Sequence, residues 1–279
     1  MIGFVGWGHV GRALGHYLLN CGIEKVCFFD TEPTEVDALY RKRQLIEQIP
    51  TLDELIDRCS IVFITVPDDF IRSVSQAIAE GSGALEGKLF IHTSGAHSIE
   101  LLEALRPKTV ELASIHPLMA FNDHDLAVKA LKNAYLTVEK QSESKRLAGL
   151  LKMMGNKILL VDSDKKTLYH AGACVLSNYL TVVLSYGLQM MENATGQSET
   201  EVLEATLPLV LSSLDNVKTL GAGNALTGPL KRQDVQTIQK HYAVLGTGPE
   251  SEFYHQLVAA TRRYMDAFDY PHERLDQEM

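Results

Sequence analysis

The chain has 279 residues, 46% of them hydrophobic and 22% charged, with a formal net charge of -9. Two domains are expected at that length, and the composition excludes a disordered or low-complexity chain. The acidic balance excludes the broad cationic surface that gripping nucleic acid or anionic lipid requires, and the short basic run Arg41, Lys42, Arg43 does not reverse it.

Cys21, Cys27, Cys59 and Cys174 stand apart, without a CxxC pair or metal-ligand spacing. Reduced thiols in a cytoplasm are expected, with no disulfide framework and no metal site. The first residues carry no basic leader and run straight into a glycine motif, so no signal peptide is expected.

In the first half, short apolar runs alternate with amphipathic stretches, which predicts an α/β fold: a Rossmann-type parallel sheet covered by helices. Strands are predicted at residues 1–5, 25–29, 61–66, 88–91, 110–115, 134–138 and 157–161. Helices are predicted at 11–20, 34–43, 51–58, 68–80, 98–105 and 142–154. Thr51 and Glu54 have capping-box spacing at one helix start. Beyond Val161 the alternation stops, so the domain boundary is set at residue 162: a dinucleotide-binding domain over 1–162 and an all-α substrate and dimerisation domain over 163–279.

The second half predicts helices at 165–193, 198–220, 234–245 and 250–268, with a glycine-rich loop at 221–229. Residues 171–191 carry no charge and are long enough to span a membrane. Ser177, Thr181, Ser185 and Gln189 recur there at every fourth position, a polar stripe that fits a protein interface better than lipid.

Gly6, Gly8 and Gly11 form a GxGxxG pattern, with Trp7, His9 and Val10 between them, placed between the first strand and the first helix. In that context Gly6 permits the tight turn, Gly8 lets the backbone approach a pyrophosphate, and Gly11 allows close strand–helix packing. Gly15 would let the helix pack tightly. Asp30 ends the second strand and either takes the adenosine ribose hydroxyls or caps the following loop. With Thr31 and Glu32 beside it, a 2′-phosphate would be repelled, which favours NAD over NADP. Val66, Pro67 and Asp68 end the third predicted strand, where Asp68 either lines the cleft or caps a helix.

Two further loops, Thr93, Ser94, Gly95 and His116, Pro117, leave predicted strands at the same edge. Over essentially its whole length the chain resembles a family of proteins with a Rossmann-like N-terminal domain and a helical C-terminal domain of unknown function. The likeness lies in GWGHVG, TVPDDFI, HTSGA, SIHPLMAF, LYHAGACVLSNYL and ALTGPLKRQD with His241. That family sits beside the 6-phosphogluconate and 3-hydroxyacid dehydrogenases, prephenate dehydrogenase, ketopantoate reductase and pyrroline-5-carboxylate reductase. Thr93, Ser94 and Gly95 are similar to the hydroxyacid dehydrogenases' substrate-contacting serine-glycine segment, and His116 and Pro117 to prephenate dehydrogenase's histidine-proline pair. The hydroxyacid enzymes also place a lysine and an asparagine on the long helix. Here the body of that helix is read as lacking a lysine, with His170 and Asn178 as its polar substitutes.

Hydride transfer to a carbonyl needs a group that protonates or polarises the oxygen, and an ordinary histidine suits the task. His116 and His170 are the candidates, either catalytic or structural, with Asn178 on the helical face of His170, Cys174 and Ser177. Ser94 and Gly95 can offer a hydroxyl and an amide to a substrate oxygen. In the polar loop from Thr227 to Asp234, Arg232 can anchor a substrate carboxylate or pair with Asp234. His9, His16, His97, His124, His255 and His272 show no such convergence.

The expectation is a homodimeric, cytoplasmic NAD(P)-dependent oxidoreductase acting on a small carboxylate-bearing oxo or hydroxy acid, with ketopantoate reduction the most concrete case. The alternatives are a non-catalytic dinucleotide-binding regulator, which would not need the polar set Ser94, His116, His170 and Asn178, and a deazaflavin-linked NADP reductase, disfavoured by Asp30.

Overall fold

A computed structural model describes residues 1–32, 44–142, 144–271 and 275. It divides into two compact units, Met1–Tyr179 and Leu180–Met279. The sheet ends near residue 162, where the alternation stops, but the first unit extends through the opening of the following helix.

Among the described residues of the first unit, eight strands form one sheet in the order β3-β2-β1-β4-β5-β6-β7-β8. They are β1 Ile2–Val5, β2 Val26–Phe29, β3 Ile46–Gln48, β4 Ile61–Ile64, β5 Leu89–His92, β6 Glu111–Pro117, β7 Leu136–Glu139 and β8 Ile158–Val161. β1 and β5 are buried end to end, as strands covered on both faces must be. β3 was not expected: it is three residues long, at the sheet edge, with only Ile46 buried.

All pairings are parallel except β6 with β7. The first four residues of β6 pair with β5, whereas Ile115, His116 and Pro117 pair with β7. β6 thus runs past the end of β5 and carries His116 beyond it, opposite Thr137.

The helices are α1 His9–Asn20, α2 Leu52–Arg58, α3 Asp68–Glu80, α4 His124–Leu131 and α5 Lys145–Met154, with a 3-10 segment Ile99–Lys108. The unexpected α4 is capped by Asp123, whose carboxylate accepts the Leu126 amide at 2.8 Å. Thr51 caps α2 by accepting the Glu54 amide, but the Glu54 carboxylate meets Arg58 instead of completing a capping box. The expected helix over 34–43, which contains Arg41 to Arg43, falls outside the described residues. One core cluster joins α1, α4 and α5 to the sheet through Phe4, Leu14, Phe63 and Leu131; the other holds Cys27, Leu55, Cys59, Ile71 and Phe90 with α2 and α3.

A continuous helix, Ser163–Thr195, straddles the boundary between units. In it α6 Lys166–Cys174 passes through a π turn, Val175–Tyr179, into α7 Leu180–Thr195. The second unit continues with α8 Glu199–Leu220, α9 Gly228–Lys231, α10 Val235–Leu245 and α11 Pro249–Ala267. Ser198 and Glu201 form a complete capping box at α8. A small core of Leu230, Val235, Ile238, Val258, Met265 and Leu275 holds the later helices together.

Candidate active site at the carboxyl edge of the sheet

The glycine loop follows β1 into α1. Gly6 has φ +92°, a region only glycine enters freely, and its amide donates to Phe29 O at 2.9 Å. A Cβ on Gly11 would lie 2.5 Å from Gly6 O, so close packing requires a glycine there. Gly15 is required for a different reason: a Cβ there would lie 2.3 Å from the Trp7 ring, which stacks on Phe28. The Trp7 side chain is therefore core.

Gly8 has no such internal reason, because a Cβ there meets nothing within 4 Å. It lines a cavity of about 420 Å³ with His9, Val10, Val66, Asp68, Gly95 and His116 among its walls. The first-turn amides of α1 have no carbonyl one turn earlier to bond. Open space before free amides at a helix start is what a pyrophosphate needs, so these residues fit a dinucleotide. Thr65, Pro67 and Thr93 complete that wall, and Thr31 is exposed beyond β2.

Asp30 braces the loop: Oδ2 accepts the Trp7 amide at 2.7 Å and Oδ1 the Glu32 amide at 3.2 Å. Each Asp30 oxygen thereby keeps one further lone pair, the site the ribose reading assigned to a ligand.

Ser94 departs from expectation. Its hydroxyl donates to Asp68 Oδ2 at 2.7 Å and accepts the His97 amide. Its own amide donates to His92 Nδ1, and its carbonyl accepts Lys166 Nζ at 3.0 Å. Since Nδ1 of His92 is the acceptor, its proton sits on Nε2 and goes to Ser98 O at 3.1 Å. Burial, with the Lys166 charge adding, pushes His92 down to about 3, so it stays neutral. Ser94 is thus bound on every polar atom by the protein itself and braces the loop, with one hydroxyl lone pair left over at the cavity wall.

Lys166, at the start of the helix and outside the body read as lacking a lysine, was not among the candidates, yet the structure brings it to the site. It opens α6, is 2% exposed, and also bonds Ser114 Oγ and faces Glu139 Oε2 at 3.5 Å. Glu139 in turn accepts the Ile99 amide at 2.9 Å and the Ser163 hydroxyl. Burial lowers Lys166 to about 8, against the raising effect of Glu139. Lys166, Tyr169 and His170 share one helical face, a spacing that one more turn of the face argument would have reached.

His116 and His170 meet over Gly95. Their ring centroids are 5.9 Å apart, and a Cβ on Gly95 would lie 2.6 Å from His170 Cδ2 and 2.9 Å from His116 Nε2. His116 Nδ1 bonds the Tyr169 hydroxyl at 2.7 Å, which also reaches Thr137 Oγ1 at 2.8 Å. Burial, with His170 and Lys166 adding, lowers His116 to about 4. It is neutral at pH 7, contrary to the ordinary histidine pKa the sequence argument assumed.

A second cavity of about 420 Å³ adjoins the first through His116, Phe121 and His170, and Asn178 lines it with Cys174 and Ser177. His170 Nδ1 lies 3.8 Å from Cys174 Sγ. Asn178 sits in the π turn, a distortion frequent at functional sites.

Thr227, Arg232, Asp234 and His241 belong to the second unit. Thr227 precedes α9 and Arg232 ends it. Asp234 caps α10 by accepting the Thr237 amide and hydroxyl, and His241 Nδ1 bonds the Tyr254 hydroxyl at 2.6 Å.

Residues 1–95 match the family described as NADP oxidoreductase, coenzyme F420-dependent, and residues 134–261 match a domain of unknown function, DUF2520. No curated protein matches the sequence. Among solved structures the chain is similar to protein TM1727 from Thermotoga maritima, with 23% identity, TM-score 0.66, and coverage of 96% of this chain and 99% of that one. It is similar to an imine reductase from Myxococcus stipitatus in complex with NADP+ (16%, TM-score 0.64, 98% and 96% covered) and to a pyrroline carboxylate reductase from Plasmodium falciparum with NADP bound (17%, TM-score 0.56, 96% and 94% covered). The chain joins a Rossmann domain of the NADP-oxidoreductase type to a C-terminal domain described as of unknown function, as the sequence resemblance implied.

Proposed function

We propose that this protein is an NAD(P)-dependent oxidoreductase whose reaction takes place where the two cavities meet. The observation that carries this is the continuous wall from Gly8 at the start of α1 to His116 and His170, which puts a dinucleotide cradle and two imidazoles in one space. When bound, the nicotinamide supplies hydride. With Nδ1 of His116 engaged by Tyr169, Nε2 is the nitrogen left to a ligand. A neutral ring there meets the reacting atom through Nε2, as donor or acceptor according to its tautomer, rather than carrying a standing proton. His170 and Asn178 flank the substrate side, and Lys166 holds the Ser94 loop in register through the Ser94 carbonyl.

For the coenzyme, NADP is the reading we adopt over the NAD preference read from Asp30. Two amides offset the Asp30 charge, and the imine reductase and pyrroline carboxylate reductase neighbours both hold NADP. The substrate class remains a small carboxylate-bearing oxo or hydroxy acid, ketopantoate among the first to test. The match of residues 1–95 supports a second reading, hydride exchange between NADP and a reduced deazaflavin.

We further propose a homodimer. α7 and α8 bury only Val202 among the described residues, leaving Leu207, Leu209, Leu211, Leu214, Val217 and Leu220 exposed. Ser185 and Gln189 on α7 suit a protein surface better than lipid, which favours a second copy over the membrane that the length and apolarity of the helix Ser163–Thr195 would otherwise allow. Light scattering should give twice the chain mass without detergent; a detergent-dependent or monomeric chain would refute it.

Calorimetric titration with NADPH and NADH, then a turnover screen over 2-oxo acids, cyclic imines and a reduced deazaflavin, tests the catalytic reading. NADPH is expected to bind more tightly, and His116→Asn to lose about two to four powers of ten in turnover with coenzyme affinity kept. A folded protein that binds neither coenzyme would end the proposal.

A further inference from the structure

On the opposite edge of the sheet, Cys27 of β2 and Cys59, the residue ending α2, bring their sulfurs within 3.2 Å of each other. We propose that these two thiols are a built site for reversible oxidation, forming an intramolecular disulfide when the protein meets a hydroperoxide.

Sulfur atoms that merely share a core sit farther apart than this, and the contact here is made possible by a glycine. A Cβ on Gly3 of β1, the strand beside β2, would stand 2.7 Å from Cys59 Sγ. Any other residue there would force Cys59 out of its present position. The two sulfurs belong to the same core cluster, and only about 1.2 Å of approach separates them from a bond of ordinary disulfide length.

The surroundings suit the chemistry. The Cys27 thiol hydrogen bond draws Cys59 below the usual thiol range, and the charges of the N-terminal amine, Lys88 and Arg58 add to it against the effect of burial. That same bond, with burial, pushes Cys27 up. Lys88 is fixed in place, its Nζ donating to the carbonyls of Ile56 and Cys59 at 2.7 Å each. One thiolate and one protonated partner is the pairing that peroxide oxidation uses.

Both cysteines are fully buried, so the route in matters. Met1 is 46% exposed, and its thioether lies 3.5 Å from Cys27 Sγ. It also lines an open cavity of about 640 Å³ together with Ile2, whose carbonyl lies 3.8 Å from Cys27 Sγ, and Ser60, which follows Cys59. Movement of that exposed side chain is the route by which a peroxide would approach Cys27. The Cys59 thiolate attacks one peroxide oxygen, the O–O bond breaks, and the departing hydroxide takes up a proton as water. Cys27 sulfur then attacks the Cys59 sulfenic sulfur, the S–O bond breaks, and a second water leaves with the thiol proton. The peroxide is reduced to two waters, and the two thiols lose two electrons and two protons.

Cys21 and Cys174 serve as internal controls, since both are half-buried and neither has a second cysteine beside it. Trypsin cuts after Lys25, Arg41, Arg58 and Arg72, isolating Cys27 in peptide 26–41 and Cys59 in peptide 59–72. The whole protein is treated with hydrogen peroxide, alkylated with N-ethylmaleimide after unfolding, digested and mapped by mass spectrometry. The number of alkylated thiols should fall from four to two, with peptides 26–41 and 59–72 joined at a mass two hydrogens below their sum, and dithiothreitol should restore all four. In Cys27→Ser, Cys59 should stop at a sulfenic acid that dimedone traps. Full alkylation of Cys27 and Cys59 under peroxide that has already oxidised Cys21 or Cys174 would overturn the proposal, as would oxidation of wild-type Cys59 to a sulfinic acid without the joined peptides.

Discussion

Replacing Gly95 with alanine puts a Cβ 2.6 Å from His170 Cδ2 and 2.9 Å from both Cδ2 and Nε2 of His116. Ordinary contact begins at 3.4 Å, so the methyl sits about 0.8 Å inside one ring and 0.5 Å inside the other. The His116 ring does not yield freely, because His116 is tied to Tyr169, and Tyr169 to Thr137. Overpacking of this kind costs roughly 1–3 kcal/mol, and losing the His116–Tyr169 bond adds about 1 kcal/mol. A total of about 2–4 kcal/mol lowers Tm by roughly 4–16 °C at this size. Thermal and urea unfolding of wild type and Gly95→Ala measures the loss, and ¹⁵N-histidine spectra should show the His116 ring nitrogens shifting. An unchanged midpoint with unchanged His116 signals would mean that the two imidazoles do not meet over Gly95.

Gly8→Asp should fold normally, because its side chain enters open space, yet lose NAD(P) binding through a carboxylate in the pyrophosphate cradle; undiminished affinity by calorimetry would remove the dinucleotide assignment. Acid should destabilise the protein through His92 and His116. Their folded pKa values, about 3 and about 4, lie below the unfolded value near ~6.5, so the unfolded chain takes up protons that the folded one refuses. The contribution is intact above pH ~6.5 and falls by about 2 kcal/mol for each histidine by pH ~5. His92→Asn should flatten the decline between pH 7 and 5 in urea titrations; an equally steep decline would mean that His92 is not held neutral.

Much of the sheet was legible because strands buried on both faces read as unbroken apolar runs: Ile2 to Val5 and Leu89 to His92 could hardly be otherwise. β3 was not, since an edge strand of three residues leaves almost no pattern, and α4 buries only Ala127 and Leu131. At the site, position was easier to read than bonding. The loops carrying Ser94 and His116 could be placed at one edge from strand order, but nothing in HTSGA foretold that Asp68, 26 residues away, would take the serine hydroxyl. Lys166 was missed for a physical reason. Lysine is almost never fully buried unless paired, and its partner Glu139 lies on strand β7, 27 residues earlier and invisible to any local window. Gly6 and Gly11 were the clearest signals, because each forbids a side chain for a reason that backbone geometry alone supplies.

Trp7 is the chain's single tryptophan, and it sits inside the glycine loop with its ring clamped between Phe28 and Gly15. Every photon of indole emission therefore originates one residue from both the turn glycine and the cradle glycine. Its amide is held by Asp30, so a change at the end of β2 also reaches this residue through a direct bond. The intrinsic emission of this protein is a single-site optical probe of the dinucleotide loop, needing no label and no mutation. It lies close enough to the cradle for a reduced nicotinamide, which absorbs where indole emits, to quench it on binding.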